Sequence, residues 1–263
     1  MIYLITALDA EARPLIEHYR LKRDHTLPYT LYRGEETLLL VTQAGKSNAM
    51  MATSALLGWR LPRPGDILIN VGICGAPEEH PLGEPLLIHQ IIDGERRYYP
   101  DILYPHTMRE SPLLCLDTPA EGMENALPVD MESGGVYSAA ARFFKLHRLA
   151  FLKIVSDHFE PETVTKEGAI ELIRSCLPQL DALIAALRSA ASEAPLFTPE
   201  EEEAIEGWKG HFTAAQGVRL DDALCYFRLQ YPQRPLPALA RDIPPSKRER
   251  STLLETFIAG LTA

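Results

Sequence analysis

The chain has 263 residues, of which 46% are hydrophobic and 24% are charged, a composition typical of a globular protein with a large core. Its 36 acidic and 26 basic residues give a net charge of −10, which disfavours nonspecific binding to nucleic acid or to an anionic membrane. The apolar runs are shorter than the roughly 18–20 residues of a membrane helix, and the four cysteines form no CxxC pair. We therefore expect a cytoplasmic protein without a membrane anchor, a disulfide framework, a metal or a cofactor.

The first third of the chain alternates predicted strands and helices. Residues 2–8 are apolar and β-branched, and residues 9–17 have helical spacing with acids in the first turn. Residues 29–32 and 37–42 flank a Gly-Glu-Glu turn, which predicts a hairpin. Residues 49–59 then predict an apolar helix, and residues 66–71 form a continuous apolar run typical of a strand buried on both faces.

The middle of the chain continues this alternation after a proline-rich interruption. Residues 85–92 and 96–99 predict strands, whereas residues 100–128 contain five prolines and are predicted to be irregular. Further along the chain we expect a helix at 133–146, a buried strand at 151–155 and one or two helices at 164–194. This order predicts an α/β domain with helices on both faces of a parallel or mixed sheet.

The C-terminal part has a different character. Thr198 is a good helix N-cap, Pro199 fits the first helical position, and four glutamates follow. Residues 198–263 predict short helices broken by Gly207, Gly210, Gly217 and several prolines, and no strand. We expect two domains, a main domain of residues 1–194 and a helical appendage of residues 198–263.

Polar or glycine-rich segments follow four of the predicted strands. They are residues 7–11, 42–46, 72–75 and 156–157. A fifth segment, residues 129–133, places two acids around a methionine just before a helix. In open α/β sheets, ligands bind beyond the carboxyl ends of the strands, so these segments are the candidate site.

Taken together and in this order, the five segments resemble the purine nucleoside phosphorylase and nucleosidase superfamily, in particular the methylthioadenosine/S-adenosylhomocysteine nucleosidases. The matches are the Ala-x-x-x-Glu strand end at 7–11, the glycine turn at 44–46, the Asn-x-Gly-x-x-Gly strand end at 70–75, the sugar motif at 129–132 and the Ser-Asp pair at 156–157. The resemblance covers residues 1 to about 190. It implies a three-layer α/β/α fold with a mixed central sheet, a small-molecule nucleoside as ligand and a homo-oligomer, either a dimer or a hexamer.

The resemblance also implies roles for individual residues. Asp157 would protonate the leaving base, Glu11 would activate water, and Glu132 would accept the ribose hydroxyls above the Met131 side chain. The remaining residues that it places around the substrate are Ser156, Ala44, Gly45, Gly72, Cys74 and Gly75. Each residue alone has a simpler interpretation: Asp157 as a cap, Glu11 and Glu132 as helix-start acids and Cys74 as a buried apolar residue.

Three departures from the family pattern bear on function. Phosphorylases have an arginine and a serine where this chain has Asn70 and Ile73, so we expect hydrolysis rather than phosphorolysis. The nucleosidases carry an arginine where this chain has Lys153. The region 111–128 is shortened and lacks the phenylalanine that stacks on the base.

Two hypotheses therefore remain open. The first is an enzyme that cleaves the N-glycosidic bond of a purine-type nucleoside. The second is a catalytically weak nucleoside-binding module whose helical tail docks a partner protein. For the missing stacking residue, the candidates nearby in sequence are Tyr98, Tyr99, Tyr104 and His106.

Overall fold

The structure, a computed structural model, describes residues 1–120, 126–191, 196–240 and 242–262. It divides into two compact units, Met1–Ser192 and Glu193–Ala263. The domain boundary predicted between residues 194 and 198 falls partly on residues 192–195, which lie outside the described residues.

A mixed ten-stranded sheet forms the centre of the first unit. Its strands are β1 (Ile2–Thr6), β2 (Lys22–Asp24), β3 (Thr30–Arg33), β4 (Thr37–Val41), β5 (Ile67–Gly75), β6 (Pro85–Asp93), β7 (Arg96–Tyr98), β8 (Arg109–Cys115), β9 (Val129–Asp130) and β10 (Leu149–Asp157). Strands β5, β9, β8, β6 and β10 pair in a closed ring, and β1, β4, β3 and β2 extend from β5 in that order. Because β1, β4, β5 and β10 run parallel, their carboxyl ends meet at one edge.

Helices cover both faces of this sheet. They are α1 (Asp9–His18), α2 (Lys46–Trp59), α3 (Ser133–Ala140), α4 (Lys166–Ser175) and α5 (Leu177–Ala191). Along β1, Tyr3 and Ile5 pack in a core with α2 and α3, whereas Ile2 and Leu4 pack in a second core with α1, α4 and α5. Strands buried on both faces need apolar residues at every position, which explains the continuous apolar runs. The predicted three-layer α/β/α fold is confirmed.

The prediction of an irregular segment at 100–128 is wrong for residues 109–115, which form β8. This strand contains Pro112, which has no N–H to donate to a neighbour. The parallel partner β6 has a register shift between Ile88 and Gln90, opposite Ser111 and Pro112, so the irregularity in β6 accommodates the proline. The structure also adds the short strand β2, and the helix predicted at 133–146 ends at Ala140.

The second unit is helical, as predicted. It contains α6 (Pro199–Lys209), α7 (Ala214–Gln230) and α8 (Lys247–Thr262), and its core includes Trp208, Leu224, Phe227 and Leu254. The expectation that Gly207 and Gly217 break the helices is wrong, since both lie inside helices. Burial of an apolar face offsets the roughly 1 kcal/mol that a helical glycine costs. Among the described residues, no helix is both long and apolar enough to span a membrane.

The crossing of α2 and α3 depends on one glycine. A Cβ at Gly135 would lie 2.2 Å from the backbone oxygen of Lys46 and 3.1 Å from the backbone nitrogen of Met50. The two helices therefore touch backbone to backbone at the start of α2. This contact brings the turn before α2 next to the segment before α3, and both segments contribute to the candidate site described below.

We predict that Gly135→Ala destabilises the protein by about 3 kcal/mol or more, because its methyl group would overlap a backbone atom that no side-chain rotation can move. Gly58 in α2 is the matched control, since a Cβ there meets nothing within 4 Å. Gly58→Ala should stabilise the helix by roughly 0.5–1 kcal/mol. Urea unfolding followed by circular dichroism measures both. Equal midpoints for the two variants would contradict the close crossing.

Candidate active site

A cavity of about 280 Å³ lies at the carboxyl ends of the parallel strands. Among the residues predicted for the site, those that line it are Glu11, Ala44, Cys74, Gly75, Met131, Glu132 and Asp157. Gly45, Gly72 and Ser156 do not line it, but each lies against one of its carboxylates. The topology therefore brings all five predicted segments to one place.

Glu11 is a buried carboxylate rather than a solvated helix-start acid. Its side chain is held by three backbone N–H groups: those of Ala7 and Leu8 donate to Oε2 and that of Ile73 donates to Oε1, all at 2.9 Å. The bond from the Leu8 N–H caps the start of α1, so Glu11 is a first-turn acid of that helix as well as a buried one. Burial raises the pKa of Glu11, and the three N–H groups and Lys153 oppose this increase.

A buried lysine compensates for the carboxylates around it. Lys153 in β10 lies 2.8 Å from Asp130 Oδ2, and both side chains are at most 2% exposed. A Cβ at Gly72 would lie 2.9 Å from Glu11 Oε1 and 3.4 Å from Lys153 Nζ, so the absence of a side chain there lets both groups approach β5. Burial alone lowers the pKa of Lys153, but Asp130, Glu132 and Glu11 outweigh it and raise the pKa above its usual range. Lys153 is therefore charged.

Glu132 lies between the glycine turn and the lysine. Its Oε1 accepts a hydrogen bond of 2.7 Å from the N–H of Gly45, a contact that the α2–α3 crossing makes possible. Burial and the neighbouring Asp130 carboxylate raise the pKa of Glu132 to about 7, against the opposing effect of Lys153. This acid therefore titrates near neutral pH.

Asp157 ends β10 beside Gly75. The Ser156 hydroxyl donates to Oδ2 at 2.6 Å, and the N–H of Glu160 donates to Oδ1 at 3.0 Å. A Cβ at Gly75 would lie 3.2 Å from Oδ1. The carboxylate thus closes a local turn, as its simpler interpretation predicts, and it also lines the cavity with only 7% exposure.

The two positions that differ from the phosphorylases serve the protein's own structure. The Asn70 amide donates to the Ile5 carbonyl. The Ser133 hydroxyl lies 3.2 Å from Asn70 Oδ1 and 2.5 Å from Asp130 Oδ2, so these two oxygens share its single proton. The N–H of Ile73 is occupied by Glu11. Among the described lining residues there is no lysine, arginine or histidine, so the cavity wall is anionic.

Cys74 lines the cavity but is not a nucleophile. Its side chain is buried, and this burial raises the pKa of the thiol far above neutral pH. The free thiol therefore stays protonated and acts as a small apolar surface, as its simpler interpretation predicts.

The aromatic residues proposed to replace the stacking phenylalanine do not line the described walls of the cavity. Tyr98 instead stacks on Tyr137 with ring centroids 4.7 Å apart, and Tyr104 is buried beside His106. The structure therefore does not support these candidates, because β7 and the segment before β8 place them away from the described cavity lining.

Sequence reasoning missed the wall that follows β8. Leu116, Thr118, Pro119 and Ala120 line the cavity, and all four follow a strand that the prolines had concealed. Once β8 is known to end at Cys115, these four residues are expected to line the site, because ligands bind beyond the carboxyl ends of strands. The neighbouring residues 121–125 of the shortened region lie outside the described residues.

No protein-family model matches this sequence, and a search of curated proteins gives no significant match. The fold, in contrast, is similar to solved structures. A 5′-methylthioadenosine/S-adenosylhomocysteine nucleosidase from S. pneumoniae, bound to a transition-state inhibitor, matches 71% of this chain and 98% of its own with a TM-score of 0.58 and 18% identity.

Two Helicobacter pylori proteins share the fold as well. The futalosine hydrolase matches 70% of this chain and 97% of its own with a TM-score of 0.56 and 14% identity. An aspartate-to-asparagine variant of the methylthioadenosine/S-adenosylhomocysteine nucleosidase, with 5′-methylthioadenosine in its active site, matches 67% of this chain and 97% of its own with a TM-score of 0.53 and 12% identity. At these identities the similarities establish the fold, and the fold that the sequence resemblance implied is confirmed.

Proposed function

We propose that this protein is a nucleosidase that hydrolyses the N-glycosidic bond of a purine-type nucleoside. The observation that carries the proposal is the convergence of Glu11, Glu132 and Asp157 on one cavity at the strand ends. The proteins that share the fold include nucleosidases and a futalosine hydrolase, which supports the same reaction class.

In the proposed mechanism, Asp157 acts on the leaving base and Glu11 acts on the water that attacks the sugar. Cleavage proceeds through an oxocarbenium-like transition state. Asp157 in its acid form donates a proton to the leaving base. An Asp-to-Asn variant of the H. pylori nucleosidase, which shares the fold, holds 5′-methylthioadenosine in its active site, which supports a nucleoside as the ligand.

Glu11 would orient and deprotonate the attacking water. Its Oε2 accepts two N–H groups and its Oε1 accepts one, so Oε1 keeps a lone pair for water. The three N–H groups fix the carboxylate in one orientation. Its raised pKa makes it a stronger base than an exposed glutamate, which suits proton abstraction near neutral pH.

Glu132 and Met131 would bind the sugar. Glu132 Oε1 is held by Gly45, and the remaining carboxylate lone pairs can accept two hydroxyl hydrogen bonds. Met131 lines the same wall and offers a polarizable surface to the sugar ring. Placing a carboxylate cluster around a developing positive charge also stabilises the transition state.

Water is favoured over phosphate as the nucleophile. Phosphate binding requires cationic and hydroxyl donors, and Asn70 is occupied by Ile5 and Ser133. The described cavity wall carries carboxylates and no basic side chain, and it would repel an anion. We also propose a cytoplasmic location and, from the family resemblance, assembly into a homo-oligomer, either a dimer or a hexamer.

The function is tested by measuring base release from a panel of nucleosides with and without phosphate. We predict release that does not depend on phosphate, and a loss of about 10²–10⁴-fold in Asp157→Asn, because the amide cannot donate the acidic proton. Asp222→Asn, at an exposed position of α7, is the control and should keep full activity.

Three outcomes contradict the proposal in different ways. Release only with phosphate means a phosphorylase. Binding without release means the alternative, a nucleoside-binding module whose tail docks a partner. Normal turnover of Asp157→Asn means that another group is the acid.

The raised pKa of Glu132 predicts how nucleoside affinity depends on pH. The carboxylate accepts sugar hydroxyls only when it is deprotonated, so affinity should be constant above about pH 7 and fall by up to about tenfold per pH unit below it. Calorimetric titration measures this dependence. Glu132→Gln should bind nucleosides weakly at every pH, whereas Glu35→Gln, at an exposed turn, should behave like the wild type. Equal weakening of free-base and nucleoside binding by Glu132→Gln would refute the sugar assignment.

A further inference from the structure

We propose that Lys46 is a positioning residue that holds one wall of the cavity through two carboxylates. The wall consists of residues 116–120, and Lys46, Asp93 and Asp117 form what we call the clasp. This inference rests on the proposed function, because it assigns the clasp an effect on nucleoside binding. None of the three clasp residues lines the cavity among the described residues.

The clasp joins three elements that are distant in sequence. Lys46 is the first residue of α2, and its Nζ lies 2.5 Å from Asp93 Oδ1 at the end of β6 and 2.8 Å from Asp117 Oδ1 in the wall. Hydrogen bonds to both carboxylates raise the pKa of Lys46 above its usual range, so the ammonium group is charged.

One end of the clasp is fixed to the sugar-binding side of the cavity. The residue before Lys46 is Gly45, which donates to Glu132. A Cβ at Gly134 would lie 3.0 Å from Asp93 Oδ2, so Asp93 packs against the start of α3. The N–H of Gly134 also donates to the Cys115 sulfur at the end of β8, at 3.3 Å. These contacts join Lys46 to the start of α3 and to the end of β8.

The other end of the clasp is the wall beside the proposed acid. Ala120 packs in one apolar cluster with Val129 and Phe159, and Leu116 lies against that cluster. A Cβ at Gly75 would meet Phe159 at 3.4 Å and Asp157 Oδ1 at 3.2 Å. Because Asp157 is the proposed proton donor to the base, the wall borders the base end of the cavity.

The two ion pairs of the clasp differ in exposure. The side chains of Lys46 and Asp93 are 25% and 15% exposed, whereas that of Asp117 is 84% exposed. The inner pair is therefore partly shielded from solvent and the outer pair is screened by salt. Exposed pairs contribute modestly, so the outer pair can bias the position of the wall without locking it.

If the clasp holds the wall, removing the outer pair should make the amide groups of the wall exchange faster. Asp117→Asn is the main variant, because an exposed side chain can be changed without unfolding the protein. In this variant, amide hydrogen exchange in a peptide covering residues 113–120 should be roughly threefold to fivefold faster than in the wild type at low salt. The wild type at 1 M salt should show the same increase, because salt screens the outer pair. Lys46→Met removes the inner pair as well, so exchange in this variant should be at least as fast, whereas Lys46→Arg should keep the slow exchange of the wild type. Lys22→Met, at an exposed position of β2, should change nothing.

The kinetic test uses the same variants on a nucleoside that the wild type cleaves. We expect Asp117→Asn and Lys46→Met each to raise KM by roughly threefold to fivefold with little change in kcat, because the wall contacts the base and not the reacting bond. The double variant should be no worse than Lys46→Met alone, since Lys46→Met already removes the outer pair, which is the only pair that Asp117→Asn removes.

Exchange measurements need no substrate, so they separate this inference from the proposed function. Unchanged exchange in Asp117→Asn overturns the clasp, whatever the activity. Faster exchange with an unchanged KM overturns its role in binding. A wild type that releases base from no nucleoside overturns the proposed function, while the exchange data still decide whether Lys46 holds the wall.

Discussion

The ion pair between Lys153 and Asp130 is the interaction on which the rest of the site depends. A fully buried ammonium group is tolerated only beside a negative charge, and here three carboxylates surround it. Asp130 Oδ1 has no hydrogen-bond partner among the described residues, so this carboxylate relies on Lys153 and Ser133. Burial and then the neighbouring Asp130 carboxylate raise the pKa of Glu132. A buried ion pair of this kind contributes little to the free energy of unfolding. Its charges, however, determine the ionisation of the carboxylates that face the cavity.

Two close backbone approaches hold this charge cluster together. Gly72 admits Glu11 and Lys153 to the surface of β5, and Gly135 lets α3 cross α2 at contact distance. The crossing places the N–H of Gly45 on Glu132 and brings Lys46 to Asp93. The same packing that builds the three-layer core thus positions Glu132, the proposed sugar-binding residue, and the clasp.

The sequence predicted the segments of the site better than the contacts within it. Apolar runs followed by polar residues marked the ends of β1, β5 and β10, because strand ends in an α/β sheet are local features. The strand β8 was missed, since Pro112 is a local signal against a strand and the register shift in β6 that accommodates it is visible only in the fold. The burial of Glu11 and the partner of Lys153 also depend on chain segments that lie 62 and 23 residues away.

The coupling between buried charges is tested most directly by Asp130→Asn, which removes one negative charge with almost no change in shape. The measurement is the pH at which nucleoside affinity falls to half of its plateau value. Because Asp130 raises the pKa of Glu132, we predict that this midpoint moves to lower pH in Asp130→Asn than in the wild type. An unchanged or higher midpoint would show that the carboxylates around Lys153 do not set the ionisation of Glu132.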